Sequence, residues 1–301
     1  MKKGQKNEAK DQYSRTPAPE HVVLILVDGI GLPDGRWSES VYADCPDLIE
    51  LFENHSVPLD PSLGVPGTPQ SATGQTAILT GINAAALMNA HIEGFPNRQL
   101  RGIIEKENVF TKLQKHGISC TFANAYVVAP GNELPMHCRS VTTVATLAAF
   151  GGTRNVSELL SGKAVFHDLT RATLPGRGIT GVPRISEAEA AKDLLRITHA
   201  HRFTLFEYFL TDHAGHRGTI ARKKSTLASL NSFLAALCTI LDRKRDLLLI
   251  VSDHGNIEAV DRRGHSTNPV PWIAVGCCAE QAQEGCTSLL DVTPRILQHT
   301  G

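Results

Sequence analysis

The chain has 301 residues, 42% hydrophobic and 20% charged, proportions of an ordinary soluble protein that argue against a disordered or membrane-embedded chain. Its 30 basic side chains balance 30 acidic ones, so no overall field draws nucleic acid or a membrane surface, and an anionic ligand must be met by local groups. The 7 cysteines (Cys45, Cys120, Cys138, Cys238, Cys277, Cys278, Cys286) are scattered without a CxxC pair, the pattern of reduced thiols in a cytoplasmic protein.

A chain of this length buries one sizeable core with residues to spare for a lid. Residues 1–20 lack an apolar stretch and read as a solvated tail, neither secretory signal nor membrane span. The first strong element is HVVLILVDGIG. Its run Val22–Val27 is apolar on both faces, as in a central parallel strand covered by helices on each side, and it delivers Asp28 at its end. In GVPGTPQSATGQTAILTG, Ser71 and Gly74 precede a short apolar stretch. This reads as a turn entering a helix, where free N–H groups and the dipole favour phosphate, although any surface turn has a similar composition. His91, in AHIEGFP, follows that helix and is a candidate to reach the same place.

The helix-like NVFTKLQKHG precedes a strand in ISCTFANAYV. From 131 to 196 the pattern weakens into helix and loop with several glycines, read as a small cap inserted between core segments 21–130 and 197–301. Its arginines, Arg139, Arg154, Arg171, Arg177 and Arg184, are dispersed and read as solvated surface charges. FTLFEYFLTDHAGH gives a strand over 203–210 that carries Asp212, with His213 expected to point away from Asp212 on an extended segment. Leu227, Leu230, Phe233, Leu234 and Leu237 recur at helical spacing ahead of the strand in DLLLIVSDHGN, which ends on Asp253 and His254. Cys277 and Cys278, after the strand WIAVG, read as small buried hydrophobes. Strands alternating with helices predict a three-layer α/β/α sandwich with a mainly parallel sheet, whose ligands gather at the carboxyl ends of the strands.

Asp28, Asp212 with His216, Asp253 with His254, and His265 in GHSTNPVP supply six candidate ligands, enough for two ions. Mixed carboxylate and imidazole donors suit zinc or manganese, whereas an all-oxygen set would suit magnesium or calcium. A lone aspartate at a strand end is also a common turn or helix cap. Adjacent Asp253 and His254 after a buried strand are less easily explained so, because buried polar groups need partners.

Taken in order, VDG, SATGQTAILTG, TDHAGH, SDHGN and GHSTNPVP resemble the metal and nucleophile motifs of the alkaline phosphatase superfamily, particularly cofactor-independent phosphoglycerate mutase and phosphopentomutase. The resemblance places Asp28, Ser71, Asp253 and His254 around one divalent ion, and Asp212, His216 and His265 around the other, with manganese or zinc as the metals. It makes Ser71 the nucleophile, with Thr68 and Thr73 as weaker candidates. Gln75 stands where both mutases usually have His, and Gly74 where related nucleotide phosphodiesterases have Asn, so Gly74, Gln75 and His91 are the candidate substrate contacts.

The expected activity is hydrolysis of a small-molecule phosphate ester through phosphoserine, a monoester before a diester, because the cap is small for a domain that must retain a mutase intermediate. A phosphomutase is the alternative on the same scaffold, and a catalytically silent metal-binding scaffold is the second. A sulfatase is disfavoured because the CxPxR-type word is missing at the nucleophile. Neither nucleic-acid nor membrane binding is expected, and oligomeric state is not legible.

Overall fold

A computed structural model describes residues 18–128, 134–261 and 264–301. Most of the expected N-terminal tail lies outside the described residues.

Six strands form one sheet: β1 (His21–Val27), β2 (Ser56–Leu59), β3 (Cys120–Phe122), β4 (Phe203–Tyr208), β5 (Asp246–Val251) and β6 (Val270–Gly276). Their order is β2-β6-β5-β1-β4-β3, with β1 parallel to both neighbours and β3 parallel to β4. Each apolar run forms a strand buried on both faces. Val22, Leu24 and Leu26 enter one core cluster, while Val23, Ile25 and Val27 enter the other, the period-2 alternation of a covered strand.

Helices Ser71–Thr80, Arg98–Glu107, Val109–Lys115, Val141–Phe150 and Val292–Thr300 supply the first cluster, and Pro46–Asn54, Glu187–Thr198 and Ile220–Ile240 the second. The result is the three-layer α/β/α arrangement with a mainly parallel sheet that the alternation predicts. Two helices from the weakly patterned 131–196 region, Val141–Phe150 and Glu187–Thr198, pack on opposite faces of the sheet. Between them, a small separate cluster forms around Phe166, Leu159 and Leu174. Among the described residues no helix is long and apolar enough to cross a membrane.

Two departures from the sequence reading matter for the site. First, β6 runs antiparallel to β5, with Val251 opposite Trp272, so the described residues between them, 252–261 and 264–269, return at the carboxyl edge of the sheet and hold His265 there. Second, the strand expected over 203–210 stops at Tyr208, and Leu210–Arg217 is a helix. Asp212 and His216 therefore share one helical face at i, i+4, and the argument that an extended backbone turns His213 away does not hold.

Candidate active site

Asp28 and Asp253 follow the C-terminal ends of adjacent strands β1 and β5, so their carboxylates emerge side by side. Helix Ser71–Thr80, buried at every position, brings Ser71 to the same edge on its first turn, where the leading amides have no acceptor within the helix. Gly74 is what permits this approach: a Cβ there would come within 2.8 Å of the Asp253 carbonyl oxygen. Its place is thus a helix-to-loop contact, and the expectation that it touches substrate is replaced by that packing role.

His254 Nε2 lies 2.9 Å from Ser71 Oγ, 3.2 Å from Asp28 Oδ1 and 3.6 Å from Asp253 Oδ2. Gln75 Nε2 donates to Asp28 Oδ2 and Asp253 Oδ2, each at 3.0 Å, and so holds the two carboxylates in one orientation. The second group reaches the surface through His216. His216 Nε2 and His265 Nε2 are 2.9 Å apart, and each is 3.3 Å from Asp212 Oδ1. His265 is aimed by its other ring nitrogen, 2.9 Å from the Pro69 carbonyl, and its ring stacks on His254 at 3.7 Å, joining the two groups.

Residues that the sequence reading passed over hold this frame. Asn256 donates to Asp212 Oδ1 at 2.6 Å, and Gly215 leaves room for its amide. Buried Glu258 accepts from the amides of Gly31 and Asn256, each at 2.9 Å, and from the Ser266 hydroxyl, tying the loop after β1 to the return loop. These partners are polar residues in loops, and nothing in their local pattern marks them out.

The donor sets fit divalent ions. Asp28, Asp253 and His254 form one group whose ligand atoms lie within 4.8 Å of one another, and Asp212, His216 and His265 form another. Asp28 Oδ1 is buried with no well-formed hydrogen bond, its near polar neighbour being the His254 ring nitrogen at 3.2 Å, an arrangement that a bound cation would complete. In the metal-free chain, burial and then the charge of Asp253 push the Asp28 carboxyl well above its usual range. Burial alone would lower His254, but Asp253, Asp28 and Asp212 outweigh it and raise the imidazole to about 10. Burial would likewise raise Asp212, but the hydrogen bond to His265 and nearby charge bring it down to about 2. Such crowding of negative charge is relieved by bound cations.

Asp28 of the first group and Asp212 of the second line a cleft of about 490 Å³, together with Ser71, Gln75 and His213. Phe95, Tyr126, His167, Arg177 and Phe209 line it too, and the Phe209 ring meets the His213 ring edge-on at 5.2 Å. Glu207 of β4 also faces it, accepting from Thr142 Oγ1 at 2.6 Å, and burial pushes its carboxyl up to about 7. His91 is not brought to this cleft. Its Nε2 lies 3.1 Å from the Val65 carbonyl, and it lines a separate surface hollow with Thr68. Thr73 turns its hydroxyl to the Gln70 carbonyl at 3.2 Å and accepts from the Ile92 amide. Two arginines of the 131–196 region are not free surface charges: Arg171 is buried against Leu159 and Asp193, and half-buried Arg154 donates to the Phe122 carbonyl and Thr121.

A family model described as the metalloenzyme superfamily matches residues 20–301. The chain belongs to the metalloenzyme superfamily. It is 28% identical over 128 residues to a 2,3-bisphosphoglycerate-independent phosphoglycerate mutase of Pseudomonas putida, 40% of this chain and 25% of that protein. A mutase of the same name from Methanococcus vannielii is 31% identical over 101 residues, 33% of this chain and 24% of the relative. The match thus spans about a quarter of the length of these curated relatives.

Solved structures extend the likeness in fold. The PH0037 protein of Pyrococcus horikoshii superposes with a TM-score of 0.56 at 13% identity, covering 94% of this chain and 97% of that one. A cold-active alkaline phosphatase of Shewanella gives 0.54 at 11% identity, over 93% and 100%. A phosphonate monoester hydrolase of Silicibacter pomeroyi gives 0.51 at 13%, over 94% and 73%.

Proposed function

We propose that the chain hydrolyses small phosphate esters, monoesters before diesters, with Ser71 as nucleophile and two divalent ions, manganese or zinc, as cofactors. The observation that carries this is the position of Ser71 Oγ, 2.9 Å from His254 Nε2, beside the buried Asp28 and Asp253 carboxylates and at the floor of the cleft. Asp28, Ser71, Asp253 and His254 would hold one ion, and Asp212, His216 and His265 the other. When bound, such ions lower the pKa of a coordinated hydroxyl or water and stabilise charge on phosphoryl oxygens.

The chain's own residues supply the rest. Ser71 Oγ attacks phosphorus as the bond to the leaving oxygen breaks, giving phosphoserine and the free alcohol. Attack of water on phosphoserine then restores Ser71 and releases inorganic phosphate. The first-turn amides of helix Ser71–Thr80 face the phosphate with the positive end of the helix dipole. Gln75 keeps Asp28 and Asp253 from rotating.

A second reading, phosphomutase, draws on the curated relatives. Phosphate release from a panel of monoesters and diesters, in manganese and in zinc, separates the two: a hydrolase frees inorganic phosphate, whereas a mutase moves the group between hydroxyls without release. Ser71→Ala should lower turnover by at least ~10³-fold while leaving metal content unchanged. Normal turnover in that variant would remove Ser71 from its role.

A further inference from the structure

Aromatic and aliphatic side chains line the same cleft as Asp28, Ser71 and Asp212, where a leaving group would lie. Phe95 is 53% exposed although it lines the cleft, so a large apolar face stands ready to be covered. Phe209 presents a half-buried ring to the same cleft, stacked on His167 at 4.7 Å with 9° between planes and edge-on to His213 at 5.2 Å. Val127 adds an aliphatic surface beside them. Hydroxyl groups pressed against such a wall would lose water without gaining partners, whereas a flat ring would bury apolar area at little cost.

One formal positive charge lines the cleft among the described residues, that of Arg177. Its guanidinium sits 5.9 Å from the Phe166 ring centroid, and Nη2 lies 3.3 Å from His167 Nε2. Phe166 is 2% exposed, so it acts as a plate beneath the cation and not as part of the seat. Burial and the charge of Arg177 lower His167 to about 4, leaving the imidazole neutral at physiological pH. Arg177 is exposed, as expected for the arginines of this region, yet it lines the cleft and keeps donor capacity beyond its contact with His167, and an arginine so placed suits a planar carboxylate or a phosphate.

Resting on the phosphoesterase reading, we propose that the cleft selects esters whose leaving group is a planar aromatic ring bearing an acidic substituent. The ring seats on Phe95, Val127 and Phe209, and the acid pairs with Arg177. Arg177 is a specificity residue here, acting on the leaving group and not on phosphorus.

Calorimetry on manganese-loaded protein with non-hydrolysable phosphonates tests this apart from turnover. Benzylphosphonate should bind at least ~10-fold more tightly than propylphosphonate, and a para carboxylate on the ring should add about fivefold more. Phe95→Ala should erase most of the ring preference. Arg177→Ala should erase the carboxylate gain while leaving benzylphosphonate affinity intact, and Arg177→Lys should restore part of it. Equal affinity for the benzyl and propyl compounds would overturn the proposal, as would Arg177→Ala weakening all three alike, which would place that residue on the phosphonate. The ring and carboxylate preferences without phosphate release in the ester panel would sustain the recognition and sink the hydrolysis. Phosphate release without the preferences would do the reverse, and no binding by any of the three would overturn the selection outright.

Discussion

The two halves of the candidate metal centre use similar donors in different surroundings. Asp28, Asp253 and His254 are 8%, 0% and 0% exposed, whereas the His216 side chain is 41% exposed. The inner group is built on the ends of two central strands and a buried helix; the outer one is built on a short helix and a return loop. A buried carboxylate pair cannot turn to water if its cation leaves, while an exposed imidazole can. The inner site should therefore be coupled to folding and the outer site to exchange.

The largest expected effect breaks the inner half. Asp253→Ala leaves the Gln75 amide with one carboxylate partner fewer and the buried His254 imidazolium with one counter-charge fewer. It should abolish turnover and lower stability by roughly 2 kcal/mol or more, read as a shift in the denaturation midpoint. His216→Ala should also cost activity and one ion per chain, yet shift stability by under ~0.5 kcal/mol because its side chain is already half in water. If His216→Ala destabilised the chain as much as Asp253→Ala, the contrast between the halves would collapse. A chelator titration sharpens it further: metal analysis should show two phases, with the outer ion lost first. Loss of both ions together would show that the stacked His254 and His265 rings bind the sites into one unit.

The smallest effect concerns the cleft wall. His167 is held down to about 4 by burial and by Arg177, so the unfolded chain takes up its proton first as pH falls below about 6.5. The stability this neutral ring contributes is complete above pH 6.5 and is lost between there and about pH 4, a change on the order of 3 kcal/mol. Thermal melts across that window should show a shallower acid limb in His167→Phe, which keeps the flat stack on Phe209. The difference between the wild-type and His167→Phe limbs should be the same with and without metal. Dependence on metal would tie the wall to the ligand groups instead.

Much of the inner half could be read from local pattern. The apolar runs before Asp28 and Asp253 predict covered parallel strands, and strands of one sheet deliver their end residues to one edge. Less of the outer half could be read so. Asp212 and His216 were visible as a TDHAGH word, but the expected extended backbone is a helix, which brings His213 to the cleft as well. Gly74 and His91 show the opposite failure, since a glycine that admits a neighbouring backbone and a histidine facing a carbonyl look the same in sequence as residues that touch substrate.

What the sequence determined by itself was chemical content and its nearest surroundings: strand words ending in carboxylates, a serine opening an apolar helix, and imidazoles enough for two ions. Tertiary structure decided which of these meet. The reversal of β6 returns His265 to within 3.3 Å of Asp212, and Glu258 links the loop after β1 to the return loop. Phe95, His167, Arg177 and Phe209 come together from separate loops to form a wall. The physical reason is range: backbone propensity and hydrophobic period act over a few residues, whereas the approach of side chains distant in sequence depends on how every strand crosses and every layer packs.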